Sequence, residues 1–248
     1  MTLGAGAAAT VENSFEPNSI DPRPVLIVTG LVQEARIAAG PGMIVICSSS
    51  DPQQLRALLA TLDPSTFRGV ISFGVAGGLD PSLKSGDVVV ATEVLAGDTR
   101  FLAGLALNEE LIASAALRRR RVVRGGLAGV EQVIAATACK AALHSETGAA
   151  AVDMESHIAA AYAAKAGIPF AALRVISDPA SRALPALAQS AIKPNGDIDL
   201  RKVLRGLVRN PRTLRALVST GIDFYRALRS LRGCRGFLRG EGIVAAGV

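Results

Sequence analysis

The sequence predicts an α/β protein with three layers, in which helices cover both faces of a central, mixed and largely parallel twisted sheet. From Pro24 onward, short β-branched runs alternate with longer Ala- and Leu-rich stretches of helical period. Half of the 248 residues are hydrophobic, so the chain can bury one substantial core. Aromatic residues make up only 4%, and we therefore expect an aliphatic core.

The predicted strands and helices follow one another as βα units require. The strands are Val25–Thr29, Met43–Cys47, Gly69–Phe73, Asp87–Ala91, Val130–Ala135, Ala150–Val152 and Phe170–Ile176. The helices are Pro52–Leu62, Glu109–Leu117, Thr137–Glu146 and Ser156–Ala166. Asp51 followed by Pro52 is typical of a helix start, because Asp caps free amides and Pro has none to satisfy. Gly167 and Pro169 end the last helix.

The C-terminal part of the chain is predicted to be helical and basic. Residues 201–239 contain 11 basic residues and one acidic residue. Apolar residues recur at helical spacing over Leu200–Val208 and again over Leu214–Leu228. Such helices can be appendages that face the protein interior, an oligomer contact or a peripheral membrane contact, and their basic residues can simply form a solvated face. We therefore divide the chain into a disordered leader (1–22), an α/β domain (23–192) and a basic helical extension (193–248).

Composition argues against several classes of function. The three cysteines are irregularly spaced and the two histidines lie outside metal-binding motifs, so we predict neither a disulfide framework nor a metal site. The shortage of aromatic residues disfavours nucleic-acid binding. No apolar run approaches the roughly 18 residues of a membrane-spanning helix. We expect a cytoplasmic protein, with peripheral contact at the inner face of the cytoplasmic membrane as an alternative for the basic extension.

Three polar clusters fall where predicted strands end, which is where open α/β sheets bind ligands. The first is Thr29–Arg36, which includes Glu34. The second is Ser72–Asp80, whose glycines permit positive φ and close approach of backbone amides to a ligand. The third combines Val152–Ser156 with Arg174–Asp178 and places two carboxylates at successive strand ends.

The carboxylates of these clusters suffice to cleave a ribosyl–base bond. Glu155 can accept hydrogen bonds from both hydroxyls of a vicinal diol, and Asp178 can deliver a proton to a leaving-group nitrogen. The oxocarbenium-like transition state needs a protonated leaving group, an oriented nucleophile and anionic groups near the sugar. Together with Glu34, these residues can meet that need.

Three strings in this order resemble the nucleoside phosphorylase and methylthioadenosine nucleosidase superfamily. They are Gly74–Leu79, Ala151–Ser156 and Arg174–Asp178, and the resemblance covers about residues 24–180. With Thr29–Leu31 and Lys193–Gly196 included, the chain resembles the hopanoid-associated nucleoside phosphorylase subfamily, which is linked to removal of adenine from adenosylhopane. The resemblance implies a phosphorylase-like fold, a homo-oligomer, no cofactor and a purine nucleoside substrate.

The resemblance also implies roles for individual residues. Glu34 matches the residue that activates water, Glu155 the one that binds the 2′- and 3′-hydroxyls, and Asp178 the acid that protonates N7 of the purine. The other implied substrate-binding residues are Ser72, Gly74, Val75, Ala76 and Gly77 beside the nucleophile and sugar, Met154 under the ribose, Gln132, Val133 and Ile134 at the base, and Ser177 beside the acid.

Two departures from the family pattern leave the nucleophile open. Ser72 stands where hexameric phosphorylases have Arg, and Val75 stands where many members have Ser or Thr, which weakens a phosphate site. The candidate phosphate ligands are Gly30, Arg36, Ser48, Ser49 and Ser50. Phosphate as co-substrate and water activated by Glu34 therefore both stay open.

The same departures favour an alternative hypothesis of another class. The chain would then be a nucleoside-binding protein with impaired catalysis, and its basic tail would contact a membrane or nucleic acid. The presence of all three carboxylates favours the enzyme. For that enzyme we expect a purine nucleoside substrate that is lipid-linked at its 5′ carbon, and no nucleic-acid partner.

Overall fold

The computed structural model describes residues 21–104, 121–185 and 214–238. The strands are β1 (Val25–Thr29), β2 (Met43–Cys47), β3 (Gly69–Gly78), β4 (Val88–Ala96), β5 (Thr99–Leu102), β6 (Val122–Gly129), β7 (Ala151–Asp153) and β8 (Phe170–Asp178). The helices are α1 (Val32–Ala38), α2 (Pro52–Ala60), α3 (Thr137–Thr147), α4 (Ser156–Ala166), α5 (Leu214–Gly233) and the short α6 (Arg235–Leu238).

All eight strands belong to one mixed sheet with the order β2-β1-β3-β7-β6-β4-β5. Strand β8 pairs with both β3, in parallel, and β4, antiparallel. The pairings β3–β8–β4–β6–β7–β3 therefore close a ring, from which β1 and β2 extend on one side and β5 on the other. This closure brings the ends of β3, β7 and β8 together.

Helices cover both faces of the sheet, as predicted. On one face, Ile37 of α1 and Leu228 and Leu231 of α5 pack on buried residues of β1, β3, β4 and β8. On the other face, Leu55 of α2 and Ile158 of α4 join the second apolar cluster. The α/β class with three layers is thus confirmed, and α5 forms part of one layer.

The helix predictions hold wherever the structure describes the residues. Asp51 caps α2 by accepting hydrogen bonds from the amides of Gln53 and Gln54. Helices α3, α4 and α5 form where helical spacing predicts them. The predicted helices Glu109–Leu117 and Leu200–Val208 lie outside the described residues, as do residues 1–20 of the predicted leader. Among the helices described, none has the length and apolarity needed to cross a membrane.

Two strand predictions are wrong. The sequence predicts a strand over Val130–Ala135, but those residues form no strand, and β6 covers Val122–Gly129 instead. The glycine-rich sequence of β6 has weak strand propensity, and pairing with β4 and β7 holds it in the sheet. The strand predicted over Gly69–Phe73 is longer than expected, because β3 continues to Gly78, and the glycines that permit positive φ do not adopt it. The hairpin of β4 and β5 was not predicted.

Candidate active site

One cavity opens at the carboxyl ends of β1, β3 and β8, beside the end of β7. It contains about 580 Å³ of empty space, part of which is open to solvent. Its lining residues are Gly30, Leu31, Glu34, Ser50, Val75, Ala76, Gly77, Val130, Val133, Ile134, Val152, Asp153, Met154, Glu155, Ser177, Asp178 and Leu184. Acidic side chains from separate segments converge here, and apolar side chains form much of the remaining wall.

Glu34 lies in the first turn of α1 and is buried. Its Oε2 atom accepts hydrogen bonds from the amides of Gly30 and Leu31, each at 2.9 Å, and its Oε1 atom accepts one from the amide of Val75 at 2.8 Å. The carboxylate therefore joins the turn after β1 to β3. Because a carboxylate oxygen has two lone pairs, Oε1 can also accept a hydrogen bond from a molecule in the cavity.

Arg174 is a buried cation beneath the cavity. It is fully buried in β8, with Nε 2.9 Å from Asp153 Oδ2 and Nη2 3.5 Å from Glu155 Oε2. Its Nη2 atom also donates to the hydroxyl of Ser72 at 2.6 Å. A buried guanidinium without partners is strongly destabilising, so these neighbours are what allow Arg174 to lie in the sheet.

The turn between β7 and α4 directs Glu155 toward the cavity. Asp153 accepts hydrogen bonds from the amides of Glu155 at 2.9 Å and Ser156 at 2.7 Å, and from the Ser156 hydroxyl at 2.6 Å. These bonds fix the turn at the end of β7. Met154 and Glu155 both reach the cavity wall from this turn.

Burial sets the protonation preferences of these groups. It raises the pKa of Glu34, against the lowering effect of Arg174 and of backbone amides. It also raises the pKa of Glu155, which Arg174 opposes and the charges of Asp153 and Glu34 reinforce. Burial by itself would lower the pKa of Arg174, but the carboxylates of Asp153, Glu155 and Glu34 raise it. Arg174 therefore stays charged, while protonation of a nearby carboxyl relieves the excess of negative charge.

Asp178 lies at the end of β8, where the pairing with β3 shifts register between Ala76 and Gly77. Such an irregularity redirects side chains at a strand end. Asp178 Oδ1 accepts a hydrogen bond from the Ser177 hydroxyl and Oδ2 accepts one from Lys140 Nζ, each at 2.6 Å. Burial raises the pKa of Asp178, against the lowering effect of Lys140 and Ser177. A buried carboxyl of this kind is suited to donate a proton.

Two glycines allow the carboxylates to approach the backbone. A Cβ atom at Gly30 would lie 2.6 Å from Glu155 Oε1. A Cβ atom at Gly74 would lie 2.6 Å from Arg174 Nη1 and 2.7 Å from Glu34 Oε1. The glycines are therefore required for close packing of the charged groups.

The wall formed by residues 130–135 is anchored from outside the cavity. Glu131 pairs with Arg56 of α2 and, at 2.9 Å, with His157 Nε2 of α4. These partners lower the pKa of Glu131 to about 2. On the other side, the amide of Leu184 donates to the carbonyl of Ala135 at 2.9 Å. The base-reading segment predicted from the sequence is thus tied to three neighbouring parts of the fold.

The structure brings most of the predicted site residues to this cavity. The predicted residues that line it are Gly30, Glu34, Ser50, Val75, Ala76, Gly77, Val133, Ile134, Met154, Glu155, Ser177 and Asp178. Ser72 and Gly74 lie behind the wall, against Arg174. Gln132 is exposed and is not part of the wall. Arg36, Ser48 and Ser49 also do not line it, so the predicted phosphate ligands are only partly brought together.

Three polar residues of the site were missed or given no role from the sequence. Arg174 and Asp153 form the buried ion pair beneath the cavity, and Lys140 contacts Asp178 from α3. A basic residue inside an otherwise apolar predicted strand is the signal that could have indicated Arg174. Lys140 carries no such signal, because a lysine in a predicted helix is ordinarily exposed.

Metal ligation finds no support in the residues described. Within 21–104, 121–185 and 214–238, no group of three or more His, Cys, Asp and Glu side chains could hold a metal ion. Cys47, Cys139 and Cys234 are not joined by disulfide bonds. The cavity presents the carboxyl groups of Glu34, Glu155 and Asp178 to a bound molecule.

The fold and the cavity together define a class of α/β protein in which buried carboxyl groups lie at strand ends around one cavity. The chain belongs to the Phosphorylase superfamily, whose sequence profile matches residues 22–208. This family membership confirms the prediction of an enzyme of the nucleosidase or nucleoside phosphorylase type. No curated protein sequence matches the chain.

Solved structures with the same fold include two nucleosidases and a hydrolase. The match with the methylthioadenosine/S-adenosylhomocysteine nucleosidase of Neisseria meningitidis covers 87% of this chain and 98% of that enzyme's chain, with a TM-score of 0.65 and 17% sequence identity. The match with the corresponding Helicobacter pylori enzyme covers 87% of this chain and 96% of that enzyme's chain, with a TM-score of 0.62 and 19% identity. The match with a futalosine hydrolase mutant from Helicobacter pylori covers 62% of this chain and 89% of the hydrolase chain, with a TM-score of 0.56 and 20% identity. At these identities the similarity shows a shared fold.

Proposed function

We propose that the protein hydrolyses the N-glycosidic bond of a purine nucleoside and releases adenine. The observation that carries this proposal is the convergence of Glu34, Glu155 and Asp178 on one cavity. Each comes from a different segment, and burial raises the pKa of all three. The relatives named methylthioadenosine/S-adenosylhomocysteine nucleosidase and futalosine hydrolase support the same kind of reaction.

The proposed reaction assigns one task to each carboxyl group. Asp178 gives its proton to N7 of the purine, which weakens the bond between C1′ and N9 and lets the base leave as neutral adenine. Glu155 accepts hydrogen bonds from the ribose hydroxyls and stabilises the positive charge that develops on the sugar. Glu34 takes a proton from water while the water oxygen bonds to C1′. Transfer of that proton to solvent, and uptake of one by Asp178, restores the enzyme.

The cavity favours water over phosphate as the nucleophile. Among the described residues, no Arg or Lys side chain lines the cavity, whereas such a partner would strengthen the binding of a phosphate dianion. Arg36 is exposed on α1, and Arg174 is already paired with Asp153 and Glu155. Phosphorolysis, with inorganic phosphate as co-substrate bound at Gly30 and Ser50, is the alternative that the adenine-release experiment below tests. Neither route requires a metal or an organic cofactor.

The substrate is proposed to be an adenine nucleoside with a large apolar 5′ group, such as adenosylhopane. Two things support this choice. The sequence resembles the hopanoid-associated subfamily, and apolar side chains form part of the cavity wall, among them Leu31, Val130 and Leu184. A hopanoid substrate resides in a lipid layer, so the enzyme must work at the cytoplasmic surface of a membrane.

Helix α5 is proposed to make that membrane contact. Large apolar side chains with 46–61% of their surface exposed lie along one side of the helix: Leu214, Val218, Ile222 and Tyr225. Exposed arginines occur along the same helix: Arg215, Arg226, Arg229 and Arg232. Apolar side chains with flanking arginines suit the interface of an anionic lipid layer. Assembly into a homo-oligomer is a further proposal, supported by the resemblance alone.

Adenine release tests the proposed function directly. Adenosylhopane, adenosine and 5′-methylthioadenosine are each incubated with the full chain, with and without inorganic phosphate. Release without phosphate, fastest with adenosylhopane, is expected. Release that depends on phosphate would make the enzyme a phosphorylase. Binding of nucleosides without any release would favour the alternative of a nucleoside-binding protein with impaired catalysis.

A further inference from the structure

Lys140 is a buried basic residue that the proposed reaction does not yet use. It extends from the first turn of α3, and its side chain is 0% exposed. Nζ lies 2.6 Å from Asp178 Oδ2. The contact joins α3 to the end of β8, where the proposed acid lies.

The other neighbours of Nζ are all acceptors. They are the backbone carbonyl oxygens of Asp178 at 3.1 Å, Pro179 at 3.2 Å and Arg182 at 3.1 Å. An ammonium group has three protons and no lone pair, so it fits a shell of oxygen acceptors. Lys140 therefore holds the backbone after β8 in place and directs a proton at one oxygen of Asp178.

Asp178 is consequently held from two sides. Ser177 donates to Oδ1 and Lys140 to Oδ2, and both hydrogen bonds measure 2.6 Å. The charge of Asp223 on α5 also acts on Asp178 and raises its pKa, and on β3 a Cβ atom at Gly77 would lie 3.2 Å from Asp178 Oδ2. Arg182, whose carbonyl bonds to Lys140, pairs through its guanidinium with Asp223 at 2.5 Å. Lys140 is thus the only cation that contacts Asp178 among the residues described.

We propose that Lys140 is a positioning residue that orients Asp178 and sets its strength as the acid. The inference rests on the proposed function, because it assigns Lys140 a part in the same proton transfer. When Asp178 gives its proton to N7 of the base, a carboxylate is left in a buried position, and the Lys140 ammonium stabilises it. No covalent bond to Lys140 forms or breaks.

The competing explanation is that Lys140 only holds the fold together. Both explanations predict that loss of Lys140 lowers activity. They differ in the pH dependence, because an opposite charge in contact with a carboxyl lowers its pKa by about 1–3 units. Activity requires protonated Asp178 and falls as the pH rises through its pKa. Removal of Lys140 should therefore move the alkaline limb of the profile to higher pH, which loss of stability alone would not do.

The experiment compares wild type, Lys140→Met, Lys140→Arg and the control Lys84→Met, whose lysine is exposed in the turn before β4. The kcat for adenine release from adenosine is measured from pH 5 to pH 10, and the melting temperature is recorded for each protein. For Lys140→Met we expect kcat to fall at least about tenfold and the alkaline limb to rise by about 1–3 pH units. Lys140→Arg keeps the charge, so its limb should stay within about half a unit of the wild-type limb while kcat falls.

Each outcome has a distinct meaning. An unshifted limb in a folded and less active Lys140→Met protein would overturn the proposal, and so would an unchanged kcat. If Lys140→Met does not fold, Lys140→Arg decides, because an alkaline limb displaced by a unit or more in a variant with the charge intact contradicts the proposal. Failure of wild type to release adenine from adenosine, 5′-methylthioadenosine and adenosylhopane alike would instead contradict the proposed function, and with it this assignment.

Discussion

Asp178 is the single side chain on which bond cleavage should depend most. It lines the cavity, and its protonated form is favoured by burial. Asp178→Asn keeps the size of the side chain but has no proton of suitable acidity to give to N7. We expect kcat to fall by roughly 10²–10⁴-fold, the usual contribution of a general acid. Adenosine affinity should stay within about threefold of wild type by calorimetry.

Asp98→Asn is a matched control, because Asp98 is exposed in the turn between β4 and β5. Its rate should equal that of wild type. Full activity of Asp178→Asn would show that another group protonates the leaving base. Loss of nucleoside binding along with turnover would make Asp178 a binding residue.

Glu34 links the stability of the protein to pH. Burial raises its pKa above the ordinary value of 4.5, so the folded state binds the proton more tightly than the unfolded state. Its contribution to stability is complete below pH 4.5 and is lost as the pH rises through the raised pKa. Urea unfolding of wild type and Glu34→Gln from pH 4.5 to pH 8 should show the advantage of wild type shrink as the pH rises. A constant or growing advantage would contradict this prediction.

At the scale of elements, β3 shows why glycine is needed inside a strand. The Cβ atom of Gly74→Ala would press on Arg174 and Glu34. We expect a loss of about 1–3 kcal/mol in the free energy of unfolding, as for other overpacked sites, together with lower activity. Gly126→Ala in β6 is the matched control, because its Cβ would meet no atom closer than 3.6 Å. Equal stability of the two variants in urea would refute this account of β3.

The sequence predicts strands and helices well where periodicity and local capping decide the structure. Asp51 and Pro52 mark the start of α2, and the apolar run of β1 matches a fully buried strand. Prediction of strands and helices fails where contacts between residues distant in the sequence decide the structure. Gly125 and Gly129 have weak strand propensity, yet β6 forms because β4 and β7 pair with it on either side.

The candidate site divides in the same way. Glu34, Glu155 and Asp178 follow predicted strands, and the general rule for strand ends is enough to bring them together. The contact of Lys140 with Asp178 spans 38 residues of sequence and depends on how α3 packs against the segment after β8. No local pattern in the sequence encodes such a contact. The ion pair of Arg174 with Asp153 likewise depends on the register of β7 and β8 against β3.

At the scale of the whole molecule, α5 has two faces with different tasks. Ala227, Leu228 and Leu231 are buried in the core that α1 shares, so removal of the helix would expose the sheet. A truncated chain is therefore a poor test of membrane contact. The opposite face can be changed by substitution without disturbing this packing, because Val218 and Ile222 are about half exposed.

The double substitution Val218→Asp with Ile222→Asp should weaken binding to anionic vesicles at least about tenfold. A fully buried aliphatic side chain contributes about 1.5–3 kcal/mol, and the new carboxylates also repel the lipid headgroups. Sedimentation with vesicles of phosphatidylglycerol and phosphatidylcholine measures the effect. Leu102→Asp, at a residue that is 75% exposed in β5, is the control and should bind as wild type does.

Adenine release from soluble adenosine should be unchanged in the double variant, whereas release from vesicle-borne adenosylhopane should fall with binding. Unchanged vesicle binding would show that α5 does not face the membrane.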